Sequence, residues 1–235
     1  MIKAVSSKQD RNQRRGRKSM KYKHIVWDWN GTLLNDAHAC AKAVNDMFEK
    51  RNLGKVTLEE YQKKIVYPVI NLYYESGFDL EKEDYKSICD EYIENYLKYS
   101  DEIELHKDSV HVLEGFRKKG MIQHIVSASG SDILKEQVDN FGVRPYFANI
   151  LGQADNRGDS KVELARQLIR LTGGKPDEML FIGDTVHDHE VAMEAGFHCA
   201  LVSNGHCSAE RLVATGAPVF ASLTDLYEHF DRIGD

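Results

Sequence analysis

The chain has 235 residues, 42% of them hydrophobic and 29% charged, with a formal net charge of −6. That composition suits a folded globular protein and excludes a largely disordered, collagenous or disulfide-rich chain. No apolar run approaches the roughly 18 residues of a membrane span, so no membrane partner is expected.

Residues 1–20 carry Lys3, Lys8, Arg11, Arg14, Arg15, Arg17 and Lys18 against Asp10 alone, a local charge of +6. Removing that +6 from the total of −6 leaves −12 on the remainder. An acidic body argues against nucleic-acid binding on the folded part. The basic tail has little to bury and is expected to be disordered, as an extension upstream of a start at Met20. It also lacks the apolar stretch of a secretory signal. Cys40, Cys89, Cys199 and Cys207 have no C-x-x-C or zinc spacing and are expected to be reduced, partly buried thiols of a cytoplasmic protein.

From Tyr22 onward, KHIVWD predicts a first strand ending in Asp28, followed by WNGTLLND. Residues 36–105 then read as helices: DAHACAKAVNDMFEKRN, TLEEYQKKIVYPVINLYYESG and KEDYKSICDEYIENYLKY. In the second, Leu58, Tyr61, Ile65 and Leu72 share a helix face, with Pro68 expected to kink or end its first part. Ile88, Tyr92, Tyr96 and Tyr99 form a stripe read as packed core rather than a cofactor box. IQHIVS is the next strand, followed by a helix over SDILKEQVDNFG. SKVELARQLIRLTGG predicts a helix that starts at a capping serine and stops at Gly173-Gly174. EMLFIGD, CALVS and PVFASL are further strands, with the helix VHDHEVAMEAG after the first of them. Such continuously apolar strands, alternating with helices, predict an α/β fold: a doubly wound parallel sheet, Rossmann-like, with an inserted all-helical module. The expected division is 21–35 and 106–235 for the core and 36–105 for the helical cap.

Ligands in open parallel sheets bind outside the carboxyl ends of the strands. KHIVWD ends there in Asp28, IQHIVS in Ser127 and EMLFIGD in Asp184, with Asp188 four residues on and Lys161 opening the preceding helix. Asp28, Asp184 and Asp188 would repel one another unless a cation compensated, and hard Mg2+ suits oxygen donors. A substrate phosphate would meet Lys161, Ser127 and nearby N–H groups.

With these residues in view, the sequence resembles the haloacid dehalogenase superfamily over about residues 22–230, in its phosphoglycolate phosphatase-like branch. The motifs are WDWNGTLL, HIVSAS, the lysine of GDSKVE and FIGDTVHDHEVAMEAG. The resemblance implies that Asp28 is the nucleophile, forming an aspartyl-phosphate. Mg2+ would be held by Asp28, the backbone carbonyl of Asn30, Asp184 and, through water or by orienting a neighbour, Asp188. Ser127, Ala128 and Lys161 would bind the phosphoryl group, and Thr32 would buttress the first-motif loop beside it. The implied activity is a phosphatase acting on a small phosphorylated metabolite, as a monomer or homodimer.

Asn30 departs from that pattern, because the phosphatases of this superfamily carry an aspartate there as general acid and base. Such help is worth about 10²–10⁴-fold in rate. Three consequences compete. A phosphatase could take its proton from His187, His189 or a cap residue. The aspartyl-phosphate could outlive its formation, leaving a weakly active phosphate-binding or regulatory protein. Or the chemistry could be a phosphonatase-like C–P cleavage, with Lys42, Lys50 or Lys55 as a Schiff-base lysine. Asn30-Gly31 is also a deamidation-prone pair. His187, His189, His198 and His206 lack metalloprotease spacing and are expected to face solvent or support the site from behind.

Overall fold

A computed structural model describes residues 22–154 and 161–234. The basic segment 1–20 and the Gly158-Asp159-Ser160 lead into Lys161 lie outside the described residues. Strand β1 (His24–Trp27) is buried at all four positions. Its alternation divides the core in two. Ile25 and Trp27 face a layer containing Leu113, Phe116 and Leu226, whereas Val26 faces Leu168 and Val191 on the other side. A strand covered on both faces favours apolar residues, and Ile25, Val26 and Trp27 supply them after His24.

After β2 (Leu34–Asn35) come four helices, α1 (Ala37–Lys50), α2 (Leu58–Lys64), α3 (Ile70–Glu75) and α4 (Tyr85–Leu97). Strand β3 (Glu104–Leu105) pairs antiparallel with β2, so the chain leaves and re-enters the core side by side. The core resumes with α5 (Ser109–Lys118), β4 (Ile122–Gly130), α6 (Ser131–Asn140), β5 (Phe147–Gln153) and α7 (Val162–Thr172). It ends with β6 (Met179–Gly183), α8 (Val186–Ala195), β7 (His198–Val202), α9 (Ala209–Val213), β8 (Val219–Phe220) and α10 (Leu223–Gly234).

The six-stranded sheet has the order β5-β4-β1-β6-β7-β8, with every pair parallel. From β1 the chain builds outward through β4 and β5, then crosses to β6, β7 and β8 on the other side. The order therefore reverses about β1, and the carboxyl end of β1 lies at the switch point where such folds bind ligands.

Three local departures from the sequence reading have physical causes. Strand β5 had not been read from FANILGQ. It pairs only with β4, through an irregular register, and all but one of its residues are half-buried, so it lacks the apolar density of a central strand. The long helix around Pro68 is two short ones, with Pro68 in the break between α2 and α3. Leu58, expected on the packed face, is exposed at the start of α2, where Thr57 and Glu60 form a capping box. Tyr61, Ile65, Leu72, Ile88 and Tyr96 do enter the core of the helical module. All four cysteines are free and buried.

Candidate active site

The loop after β1 is fixed before any ligand arrives. The Asp28 amide donates to the carbonyl of Ile182 at 2.8 Å, and Trp29 O accepts from Leu33 and Leu34. Gly31 adopts φ +74°, and a Cβ there would lie 2.3 Å from Asp184 Oδ2, so only glycine fits between the two strand ends. Gly205 is excluded from bearing a side chain by the same carboxylate, at 2.1 Å.

Asp28, Asp184 and Asp188 are buried, and each offers an oxygen within 4.8 Å of the others. Asp188 is the third helical residue of α8, and its Oδ2 accepts from the Thr185 hydroxyl at 2.7 Å and the Thr185 and Asp184 amides. Its other oxygen accepts from Lys161 Nζ at 2.6 Å, and the same ammonium donates to Asp28 Oδ1 at 2.5 Å. Asp184 is held by the Thr32 hydroxyl at 2.7 Å and by the amide of His206 at 2.6 Å. Lys161, Thr32, Asp28, Asp184 and Asp188 thus form one network from three segments of the chain.

Burial pushes Asp28 well above the ordinary carboxylate range; Lys161 opposes that rise, and Asp188 and Asp184 add to it. Burial also raises Asp184, against the pull of His206. Asp188 feels the same desolvation, yet Lys161 and the Thr185 hydrogen bond bring it below the usual value. Lys161 would be lowered by burial, but Asp188 and Asp28 raise it instead and keep it charged.

Three carboxylates against one ammonium would leave two negative charges in a buried space once all three ionise, which is the state that burial disfavours and a cation favours. A divalent, oxygen-preferring cation matches both the charge and the donor set, so the residues present fit Mg2+. A second cluster, Asp36, Cys40 and His206, also meets metal-ligand spacing. Its carboxylate is already filled by hydrogen bonds from Gly31 N, Asn30, Tyr96 and His206, which suits it poorly to a metal.

Asn30 turns its amide away from the aspartate triad. Its Nδ2 donates to Asp36 Oδ2 at 2.6 Å, and its Oδ1 accepts from the Ser129 hydroxyl at 2.5 Å. Ser127 Oγ accepts from the Ser129 amide at 3.1 Å. Ser127, Ala128, Asp28, Asn30 and Lys161 line one cavity of about 130 Å³ beneath the helical module. Thr32 is not among its lining residues, and touches the site only through Asp184.

Two residues at this site carried no role in the sequence reading or a different one. Asp36 joins Asn30 and Gly31 to Tyr96 of α4 and to His206. His206 was expected to face solvent or stand behind the site; it is buried and spans the core and the helical module. Its Nε2 lies 3.2 Å from Asp36 Oδ1 and its Nδ1 3.0 Å from the Tyr61 hydroxyl. Burial pulls this imidazole down, but Asp36 and then Asp184 and Asp28 push it up to about 9. The tyrosine stripe of α4 also exceeds its expected packing role, because Tyr96 OH donates to Asp36 and accepts from Gln137.

Other candidates fall away. Lys42, Lys50 and Lys55 are exposed and paired with Glu102, Glu91 and Glu49, and none lines the cavity. His187 stacks on Tyr67, with Nδ1 3.3 Å from Glu190, and it too is outside the main cavity.

The chain is similar to known proteins in both sequence and fold. The family model for haloacid dehalogenase-like hydrolases matches residues 25–202. The phosphoglycolate phosphatase of Aquifex aeolicus is 26% identical over 185 residues, covering 77% of this chain and 85% of its own. That of Aliivibrio fischeri is 24% identical over 198 residues, covering 80% and 87%. A solved structure from Clostridium acetobutylicum, described as a predicted phosphatase, shares the fold with a TM-score of 0.75 at 21% identity, covering 90% of this chain and 99% of its own. The chain belongs to the haloacid dehalogenase-like hydrolases.

Proposed function

We propose that this protein is a magnesium-dependent phosphohydrolase that cleaves a small phosphorylated metabolite through an aspartyl-phosphate on Asp28. The observation that carries the reading is the buried cluster in which Lys161 bridges Asp28 and Asp188, with Asp184 alongside. The names of the curated relatives support the same class of chemistry.

Asp28, Asp184 and Asp188 would hold the cation, which supplies electrostatic stabilisation of phosphate charge when bound. An Asp28 carboxylate oxygen attacks phosphorus, and the bond to the leaving oxygen breaks with its electron pair departing on that oxygen. Water then cleaves the acyl phosphate, releasing inorganic phosphate and restoring the carboxylate. Lys161 aligns Asp28 and offsets charge on the transferring group, while Ser127 and the chain at Ala128 border it. The helical module closes the cavity above and limits water. A Schiff-base route has no support from Lys42, Lys50 or Lys55, which stand outside the cavity. The free, buried thiols are consistent with a reducing, cytoplasmic setting.

Phosphate release from an aryl phosphate, measured with and without Mg2+, tests the reading. Activity should require the metal and vanish in Asp28→Ala. Turnover that survives Asp28→Ala would sink the nucleophile assignment.

A further inference from the structure

The wall that the helical module turns toward Asp28 is unusual for an enzyme whose relatives are named for a small phosphate ester that also carries a carboxylate. That module is described throughout, and none of its residues lining the cavity is charged. Aliphatic contacts come from Val44, Ile65, Val69, Leu72 and Ile93, with Ile133 of α6 facing them. Aromatic rings come from both sides of the module, Tyr67 before α3 and Tyr92 and Tyr96 of α4. Burial pushes the Tyr67 and Tyr92 phenols well above their ordinary range, so this wall stays neutral.

The charged side chains among the described lining residues are Asp28, Lys161 and His206. Lys161 is committed to Asp28 and Asp188, and His206 to Asp36. A carboxylate on the leaving group would therefore meet described cations that are already engaged, with only neutral hydroxyls and amides among the other described polar lining residues to receive it. The cavity, about 130 Å³ with the space beside Asp28 and Lys161 included, limits the leaving group to a compact one.

The polar edge of the cavity points to the same class independently. Asp28 is the sole carboxylic acid among the described lining residues, and it is the attacking group. Asn30 is an amide with both ends occupied, and the Tyr96 O–H is given to Asp36. Both His206 nitrogens have partners. Apart from Asp28, the described lining residues thus offer a leaving oxygen no carboxylic acid, only weaker acids such as the Tyr67 phenol, which burial pushes well above its ordinary range. A phenol ionises near pH 10, whereas an alcohol resembles water at about 15.7, so an aryl oxide departs without such help.

We propose that the site is built for small aryl phosphates, whose leaving group is a single uncharged ring, and that it discriminates against phosphoglycolate. This rests on the phosphohydrolase reading above. The step balances simply: the P–O bond to the ring oxygen breaks as the bond from Asp28 forms, and the aryl oxide takes its proton from water after release.

Two measurements test it. Calorimetry with Asp28→Asn and Mg2+ compares binding of phenyl phosphate and 2-phosphoglycolate; phenyl phosphate should bind at least about tenfold more tightly. With the wild-type enzyme, kcat/KM should fall steeply as substituted phenols become more basic, with 2-phosphoglycolate about 100-fold or more below phenyl phosphate. Ile93→Arg, which adds a cation to a half-buried position on the wall, should narrow that gap about tenfold. Equal or tighter binding of phosphoglycolate, or a flat dependence on leaving-group basicity, would overturn the proposal. Selective binding of phenyl phosphate without turnover of any ester would support this substrate class and remove the phosphohydrolase reading instead.

Discussion

The side-chain amide of Asn30 donates to Asp36 Oδ2 at 2.6 Å, inside a network that excludes solvent from Asp36 entirely. The amide is therefore matched to its surroundings: a carboxylate at position 30 would face another carboxylate. Asn30→Asp should lower unfolding free energy by about 1–3 kcal/mol at neutral pH, through a lost hydrogen bond and like-charge repulsion. Adding Asp36→Asn should recover part of that loss, as read by denaturant titration of the four members of the cycle.

The same contacts bear on deamidation. Succinimide formation needs the Gly31 nitrogen to reach the Asn30 side chain, but Gly31 N donates to Asp36 Oδ1 at 2.9 Å while the side chain is bound to Oδ2. Stored folded protein should retain Asn30 by peptide mass spectrometry. Asp36→Ala should undergo deamidation at that position faster under identical storage.

Lys161 is the cation that the structure itself supplies between Asp28 and Asp188. Lys161→Met should reduce kcat by about 10²–10³-fold, in line with the loss of a preorganised charge at the reacting group. It should also lower the thermal midpoint in chelator and regain much of it on adding Mg2+, because the three buried carboxylates would then lose the ammonium that bridges two of them.

Gly205→Ala tests the steric limit on the metal site. A Cβ would lie 2.1 Å from Asp184 Oδ2 and 2.6 Å from the carbonyl of Gly31, so Asp184 must shift. Apparent Mg2+ affinity, from the metal dependence of activity and from calorimetry, should fall by about tenfold or more.

A buried histidine pair predicts the acid limb of stability. His24 Nδ1 and His124 Nε2 are 3.0 Å apart, and Asn149 Nδ2 lies 3.0 Å from His124 Nδ1. With the Asn149 amide as donor, His124 gives its remaining N–H to His24, and both rings are neutral. Burial and the neighbouring His24 push His124 down to about 4, and burial lowers His24. Unfolded histidines take up protons from about pH 6.5 downward while these folded ones do not. Stability should thus fall between about pH 6.5 and 4 by on the order of 2 kcal/mol, and His124→Gln should flatten that slope.

The strands that frame the site were legible because burial on both faces favours continuous apolar runs: Ile25–Trp27, Met179–Gly183 and Cys199–Val202 are all of this kind. Asp28, Asp184, Asp188 and Lys161 could be placed at strand ends or a helix start for the same reason. Strand β5 escaped because an edge position relaxes that demand. Tyr96 could be read as a packing residue from its spacing in α4, but nothing in that spacing tells which hydroxyl meets a carboxylate.

The sequence by itself determined the class of fold, the strand that ends in Asp28, and the presence of an amide two residues later. Only the tertiary structure decided what that amide does. Asp36 and His206 are 170 residues apart in the chain, and their contact exists because the helical module and the loop after β7 close on the same side of Asn30. Local periodicity encodes which face of a helix or strand is buried, whereas hydrogen-bond partners across the cavity depend on how separate elements pack, and no short-range pattern records that.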